Sequence, residues 1–318
     1  MGLDFLAAFQ ADRLLPLREI DEGFIRPSFP GQVVVSYQHA GLMVELIEQD
    51  HGVEGVRGLM EAYADRLSTP DAFRRALGVD PEEMDRRLAE HVRARYAAAL
   101  DAVESLAEAR RERGGDPAAL EQAARSRPDD LAAQLAAGRA LVAAGRTREA
   151  ERFFDRARVL FPEMTGPGSP DAALARIRLE RGDTAGAVTA LRRLTTVDET
   201  ALDANLVLAG LLAGSDPAEA AGALERAILI HPFDPEPHAR LAELAVALGR
   251  PALEVRERRA LVALRPVDRA GALYRLAVAQ RRAGDATGAR RSVLAALEIA
   301  PGYAEAQDLL LELAGGGR

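Results

Sequence analysis

The chain has 318 residues, with 41 basic and 49 acidic side chains and a net charge of −8 at pH 7. Every basic residue is arginine and cysteine is absent, which excludes disulfides, cysteine-ligated metal sites and thiol nucleophiles. The acidic balance argues against nucleic-acid binding through a basic surface. Its longest apolar runs are far shorter than the roughly 20 residues of a membrane span. We therefore expect an all-α protein that binds no nucleic acid and has no membrane span.

Residues 1–96 form the first predicted segment, and they carry 17 acidic and 11 basic residues against 32 and 30 in the remainder. The first residues lack the basic and apolar regions of a signal peptide. The sequence leaves two locations possible for the protein, the cytoplasm or, if the chain is part of a secreted parent, the periplasm or another extracytoplasmic compartment. Apolar spacing predicts a buried helix over 32–50 that ends at Gly52, and a second helix over 53–67. We expect this segment to end inside a continuous helix near Tyr96.

Two further helices are predicted from their start signals. Thr69-Pro70-Asp71 reads as an N-cap followed by proline at the first helical position. Asp80-Pro81-Glu82-Glu83 places a glutamate three residues after the cap, as in a capping box.

The segment 12–96 resembles the helical C-terminal part of gluzincin metallopeptidases, which include the peptidase MA-like domain. The matching stretches are Val-Ser-Tyr-Gln-His-Ala-Gly at 35–41, His-Gly-Val at 51–53, Leu-Met-Glu-Ala-Tyr at 59–63 and Asp-Ala-Phe-Arg-Arg-Ala-Leu-Gly at 71–78. In that family a tyrosine stabilises the oxyanion of the tetrahedral intermediate, and Tyr37 occupies the matching position.

The zinc motif of that family, His-Glu-x-x-His, does not occur among the five histidines of the chain. Tyr37 would be catalytic only if zinc and its ligands came from a part of the parent enzyme outside this chain. The alternative is a partly buried tyrosine at a helix start. We expect no metal ligands in this chain and no peptide hydrolysis by it on its own.

Two other groups contain histidine or carboxylate side chains of the types that bind metals, and neither is predicted to do so. Residues 39, 45, 48, 50 and 51 do not converge on one helix face. His231 and His238 bracket a proline-rich junction, where ordinary loop and helix-start positions are favoured over zinc.

A repeat organises the rest of the chain. Prolines at 128, 162, 232, 266 and 301 are separated by 34, 70, 34 and 35 residues. In the unit 131–164, small residues fall at positions 8, 20 and 27, and proline at 32. This pattern resembles the tetratricopeptide repeat (TPR), which implies a right-handed solenoid of helical hairpins.

The predicted units vary in fidelity. A degenerate unit covers 97–130. Five clear units follow at 131–164, 168–200, 201–234, 235–268 and 270–302, and a capping helix with its tail covers 303–318. Leu208 stands at a position that favours a small residue, and Glu254 and Arg258 replace the expected alanine and aromatic residue. In the capping helix, Leu309, Leu310 and Leu313 are predicted to face inward.

The resemblance implies a concave groove lined by first-helix positions 2, 5, 9, 12 and 13. The polar residues at these positions include Arg139, Arg176, Asn205, Glu243, Tyr274, Arg281 and Arg282. Arginine pairs with carboxylates and tyrosine stacks or donates, so a protein or peptide partner with acidic and apolar residues is expected. The alternative is that these side chains are solvated helix faces. The clamps that bind chaperone tails use lysine, which this chain lacks.

Three functions follow from these patterns. The leading one is a non-enzymatic interaction scaffold that binds a partner in the TPR groove. The second is the C-terminal part of a zinc-dependent gluzincin metallopeptidase, with zinc as the cofactor of the parent and not of this chain. The third is an assembly factor that self-associates through solenoid ends, which the charged cap disfavours. The oligomeric state is not predicted.

Overall fold

The computed structural model describes residues 2–103, 116–166 and 168–315. All regular secondary structure in these ranges is helical, which confirms the all-α class. Within the same ranges, no helix is both long and apolar enough to cross a membrane. The chain divides into two compact units, 1–181 and 182–318.

The first unit opens with the predicted helical segment. Its helices are α1 (Leu3–Gln10), α2 (Glu22–Ile25), α3 (Gln32–Ala64), α4 (Thr69–Leu77) and α5 (Pro81–Arg95), with a 3-10 turn at Leu17–Glu19. Phe5, Leu6, Met84 and Val92 are fully enclosed in its core.

A break at Gly52 divides α3, where two helices are predicted. The backbone there has φ 67° and ψ −179°, a combination that is essentially restricted to glycine. The predicted end of the first helix at Gly52 therefore coincides with a real interruption, across which the helix resumes.

Two start signals act differently from the prediction. The N-cap of α4 is Ser68, one residue earlier than expected, and its Oγ accepts from the Asp71 amide at 3.4 Å. Asp80 precedes α5, but its carboxylate makes no capping bond because it accepts instead from Arg74 Nε at 2.6 Å. The capping box is therefore wrong.

The predicted continuous helix near Tyr96 is also wrong. Helix α5 ends at Arg95, Tyr96 has φ −114° and ψ 22°, and residues 97–103 are helical again. The Tyr96 ring is buried edge-on against Phe161, with centroids 5.8 Å apart, and its hydroxyl donates to Glu163 at 3.1 Å. This anchoring of one side chain accounts for the break.

The remaining helices alternate as first and second helices of the predicted repeats. In the unit 1–181 they are α6 (Pro117–Ser126), α7 (Leu131–Ala143), α8 (Thr147–Leu160) and α9 (Pro170–Glu180). In the unit 182–318 they are α10 (Thr184–Val197), α11 (Leu202–Leu212), α12 (Pro217–Ile230), α13 (Pro235–Ala247), α14 (Pro251–Ala263), α15 (Arg269–Arg282), α16 (Ala286–Ile299) and α17 (Ala304–Gly315).

Small residues let the helices of a hairpin approach closely. A Cβ added to Gly138 on α7 would lie 2.9 Å from the Phe154 ring on α8, so only glycine fits. Within the unit 182–318, Leu309 of α17 is buried against Ala277 and Val293, and Leu310 and Leu313 are partly buried there. These three leucines form the inward face that the sequence predicts.

Candidate partner-binding face

The first helices α7 and α9 carry two of the predicted groove arginines, both in the unit 1–181. Arg139 is exposed near the middle of α7, and its Nη2 donates to the Gly168 carbonyl at 3.2 Å. Gly168 lies just before α9, so this hydrogen bond ties the guanidinium to the start of the next first helix.

Arg176 lies on α9, where it is exposed. No ion pair or hydrogen bond joins its side chain to another residue in the described ranges. Its helix neighbours at 172 and 173 are half-buried alanines, and Leu179 is 36% exposed. Glu180, four residues along the same helix, is also exposed, but it forms no ion pair with Arg176. The guanidinium therefore has donors available for a carboxylate of a partner.

Arg178, two residues further along α9, has a different environment. Its side chain is only 13% exposed, and its Nε donates to Glu151 Oε1 on α8 at 2.7 Å. Arg181 donates to the other oxygen of the same carboxylate at 2.6 Å. These two arginines hold α8 and α9 together, whereas Arg176 is exposed and joins no such pair.

In the unit 182–318, Asn205 does not lie on the surface where the groove pattern places it. The side chain is 1% exposed, and its Nδ2 donates to the Ala201 carbonyl at 3.0 Å. Its Oδ1 accepts from Arg226 Nε at 2.8 Å. Burial and satisfied hydrogen bonds make Asn205 a structural contact between α11 and α12.

The predicted groove residues of α15 are engaged within the unit. Tyr274 is half-buried against Tyr303, with ring centroids 5.1 Å apart. Arg281 forms an ion pair with Glu312 of α17, and Arg282 Nη1 donates to Glu254 Oε2 at 2.5 Å. A partner would have to displace these contacts before it could use either arginine.

Glu243 on α13 is exposed, and no described residue forms an ion pair or hydrogen bond with its carboxylate. Val246, three residues along the same helix, is also exposed. Of the predicted set, therefore, Arg176 and Glu243 are exposed and form no ion pair or hydrogen bond among the described residues, although the Glu243 charge acts on Arg258.

A buried charged cluster on α14 is a feature that sequence reasoning missed. Glu254 and Glu257 are both nearly enclosed, and Glu257 Oε2 lies 2.6 Å from His238 Nδ1. Burial lowers the pKa of the half-buried Arg258 guanidinium. The available signal was the presence of Glu254 and Arg258 at repeat positions that favour alanine and an aromatic residue.

The residues that resemble the metallopeptidase do not form a metal site. Tyr37 is 67% exposed and contacts the Phe24 ring edge-on, with centroids 4.8 Å apart. His39 is buried, and desolvation lowers its pKa to about 4. The described ranges contain no group of three or more His, Asp or Glu side chains that could hold a metal ion.

A family model for the tetratricopeptide repeat matches residues 118–165 and 172–235. Those two segments are tetratricopeptide repeats, which confirms the class predicted from their proline and small-residue spacing. Helices α13 to α17, apart from Pro235 at the start of α13, lie beyond the matched residues, and residues 1–117 lie before them. A search of curated proteins found no match.

Solved structures of other repeat proteins are similar to the chain at low identity. YrrB, described as a TPR protein with an unusual peptide-binding site, is 16% identical over 61% of this chain and 98% of its own, with a TM-score of 0.40. MamA is 18% identical over 46% of this chain and 80% of its own, with a TM-score of 0.37. A tetratricopeptide repeat protein from Parabacteroides merdae is 15% identical over 86% of this chain and 99% of its own, with a TM-score of 0.29. Values this low identify no partner for the present chain.

Proposed function

We propose that the chain is a non-catalytic interaction scaffold that binds a partner polypeptide on the first-helix face formed by α7 and α9. Tetratricopeptide repeats typically bind protein or peptide partners, and the matched segments include α7 and all of α9 from residue 172 onward. The observation that carries the proposal is Arg176, whose exposed guanidinium has no hydrogen bond or ion pair with another described residue.

The surroundings of Arg176 favour an acidic and apolar partner segment. Guanidinium binds carboxylate through two parallel hydrogen bonds, a geometry that the compact ammonium of lysine does not offer. The half-buried alanines at 172 and 173 leave room beside the guanidinium, and Leu179 adds an exposed apolar surface. We therefore propose that Arg176 receives an Asp or Glu side chain and that Leu179 packs against an adjacent apolar residue.

Arg139 is proposed as a second, positioning contact on the same face. Its Nη2 donates to the Gly168 carbonyl, which holds the guanidinium near the start of α9. Tyr274 is a poor choice for a binding test, since its removal would disturb the packing of Tyr303.

The experiment is a selection of peptides from a random library against the intact chain, followed by hydrogen exchange of the complex. We expect the selected peptides to be enriched in Asp or Glu next to Leu, Ile or Phe. Amide protection should rise on α7 and α9 and stay unchanged on α8. Peptides without carboxylates, or protection confined to second helices, would contradict the proposal.

A further inference from the structure

The first half of α3 exposes an apolar face to solvent. Val34, Tyr37 and Val44 are 59%, 67% and 48% exposed, and Gly41 is exposed between them. Their spacing of three to four residues places them along one side of the helix. From Gln32 to Val44 the only titratable side chains are Tyr37 and the buried His39. We call Val34, Tyr37, Gly41 and Val44 the α3 stripe.

Gly41 lies in the interior of a helix without an intramolecular reason to be glycine. Glycine weakens a helix interior relative to alanine. Gly138 is explained by Phe154 and Gly55 by His51, each within 3.0 Å of an added Cβ. At Gly41 no described atom lies within 4 Å of an added Cβ. A bare backbone on an exposed apolar face suits the close approach of a second helix.

We propose that the α3 stripe binds a second copy of this chain, with the two α3 helices antiparallel and crossing at Gly41. A two-fold axis at Gly41 places each residue opposite the one equally far on the other side of Gly41 in the second copy. Tyr37 is four residues before Gly41, and Val44 and Glu45 are three and four residues after it. Each tyrosine therefore lies beside Val44 of the other copy and next to its exposed Glu45, which pairs with Arg95 within its own chain. Ring and valine then pack on either side of the bare glycine backbone.

Charge complementarity favours this antiparallel arrangement. Glu48 is exposed seven residues beyond Gly41, and Val34 lies seven residues before it in the first turn of α3. The N-cap of α3 is Gly31, which offers no side-chain hydrogen bond to the free amides of that turn. In the proposed pair, the Glu48 carboxylate of each copy lies beside the positive N-terminal end of the other α3.

The first test measures the mass of the full chain in solution by sedimentation across a concentration series. We expect a dimer that Val44→Glu dissociates, with at least a tenfold rise in the dimer dissociation constant, because a charge would be buried at the contact. Met60→Glu is the matched control, since Met60 is 69% exposed on α3 beyond the break at Gly52. A monomer at 100 micromolar, which would leave the stripe to a different partner, overturns the proposal.

The second test uses the absence of cysteine in the chain, so that each introduced thiol reports alone. Gly41→Cys should form a disulfide-linked dimer under mild oxidation, because only a residue on the two-fold axis meets its own copy. Val34→Cys and Glu48→Cys should cross-link when mixed but not separately, since each would be about 21 Å along the helix from its own copy. Self-linkage of Glu48→Cys, or no linkage at Gly41→Cys, would overturn the antiparallel arrangement.

A third variant separates association from folding. Gly41→Ala should raise the midpoint of thermal unfolding under conditions where the chain is monomeric, while it weakens dimerisation by holding the helices apart. A rise in the unfolding midpoint with unchanged dimerisation would overturn the role of Gly41 at the crossing.

Discussion

His238 on α13 and Glu257 on α14 form a buried pair, with Nδ1 and Oε2 2.6 Å apart. The other ring nitrogen of His238 lies 3.0 Å from the Pro232 carbonyl oxygen. The second carboxylate oxygen of Glu257 accepts from Arg256 Nε at 2.5 Å, and Arg256 also reaches Glu225 on α12. Polar contacts thus join three successive helices at a place where other repeats pack alanine and aromatic side chains.

This network predicts that substituting either His238 or Glu257 alone lowers the free energy of unfolding by more than the intact pair contributes to it. We expect Glu257→Ala and His238→Ala each to lower the free energy of unfolding by about 2–3 kcal/mol, because each leaves a buried polar group without its hydrogen-bond partner. The double variant should lose less than the sum, as contacting residues are not additive. Denaturant unfolding of the four proteins measures the coupling, and strict additivity would contradict a direct interaction.

The contact between Gly138 and Phe154 predicts a second stability effect. Gly138→Ala brings a methyl group to within 3.0 Å of the ring, so we expect the free energy of unfolding to fall by about 1–3 kcal/mol despite the better helix propensity of alanine. Gly214→Ala is the control, since an added Cβ there meets no described atom within 4 Å. Equal unfolding midpoints for the two variants would show that the helices of this hairpin can separate freely.

The helices and their turns could largely be predicted from the sequence, because small residues, glycines and prolines recur at fixed spacing. Gly145, Gly249 and Gly284 take positive φ where the repeat pattern places its turn. The helix starts were less predictable. Asp80 is predicted to cap α5, yet its carboxylate accepts a hydrogen bond from Arg74 instead. Which partner it binds depends on the side chains that the fold brings near it.

The candidate site was predicted only in part, because a repeat position specifies a helix face and not the neighbours across it. Asn205 occupies a groove position, but Arg226 of the next helix donates to it and it becomes buried. Arg281 occupies another, and Glu312 of α17 pairs with it. Exposed Arg176 has no such neighbour among the described residues, and nothing in the spacing separates it from Arg281.

Burial of His39 predicts a pH dependence of folding. Its pKa is lowered to about 4 in the folded chain, against 6.5 ordinarily, so the unfolded state binds more protons between these pH values. Stability from the neutral histidine is complete above about pH 6.5 and is lost as the pH falls towards 4, by up to about 3 kcal/mol.

The measurement compares denaturant unfolding of the chain and of His39→Leu at several pH values. The difference in unfolding free energy between them should shift in favour of the leucine variant as the pH falls from 7 to 4, and level off above 7. A difference that does not depend on pH would mean that His39 ionises normally in the folded protein.

The most direct test of the proposed function is a calorimetric binding cycle with a selected acidic peptide and its amide counterpart, in which Gln or Asn replaces the recognised carboxylate. Arg176→Ala should weaken binding of the acidic peptide by about tenfold or more, since a charge-assisted hydrogen bond is typically worth about 1.5–3 kcal/mol. The same substitution should leave the affinity for the amide peptide nearly unchanged. Arg148→Ala, which removes an exposed arginine from the second helix α8, should have no effect on either peptide. Equal losses from Arg176→Ala and Arg148→Ala, or equal losses with both peptides, would contradict carboxylate recognition on the first-helix face.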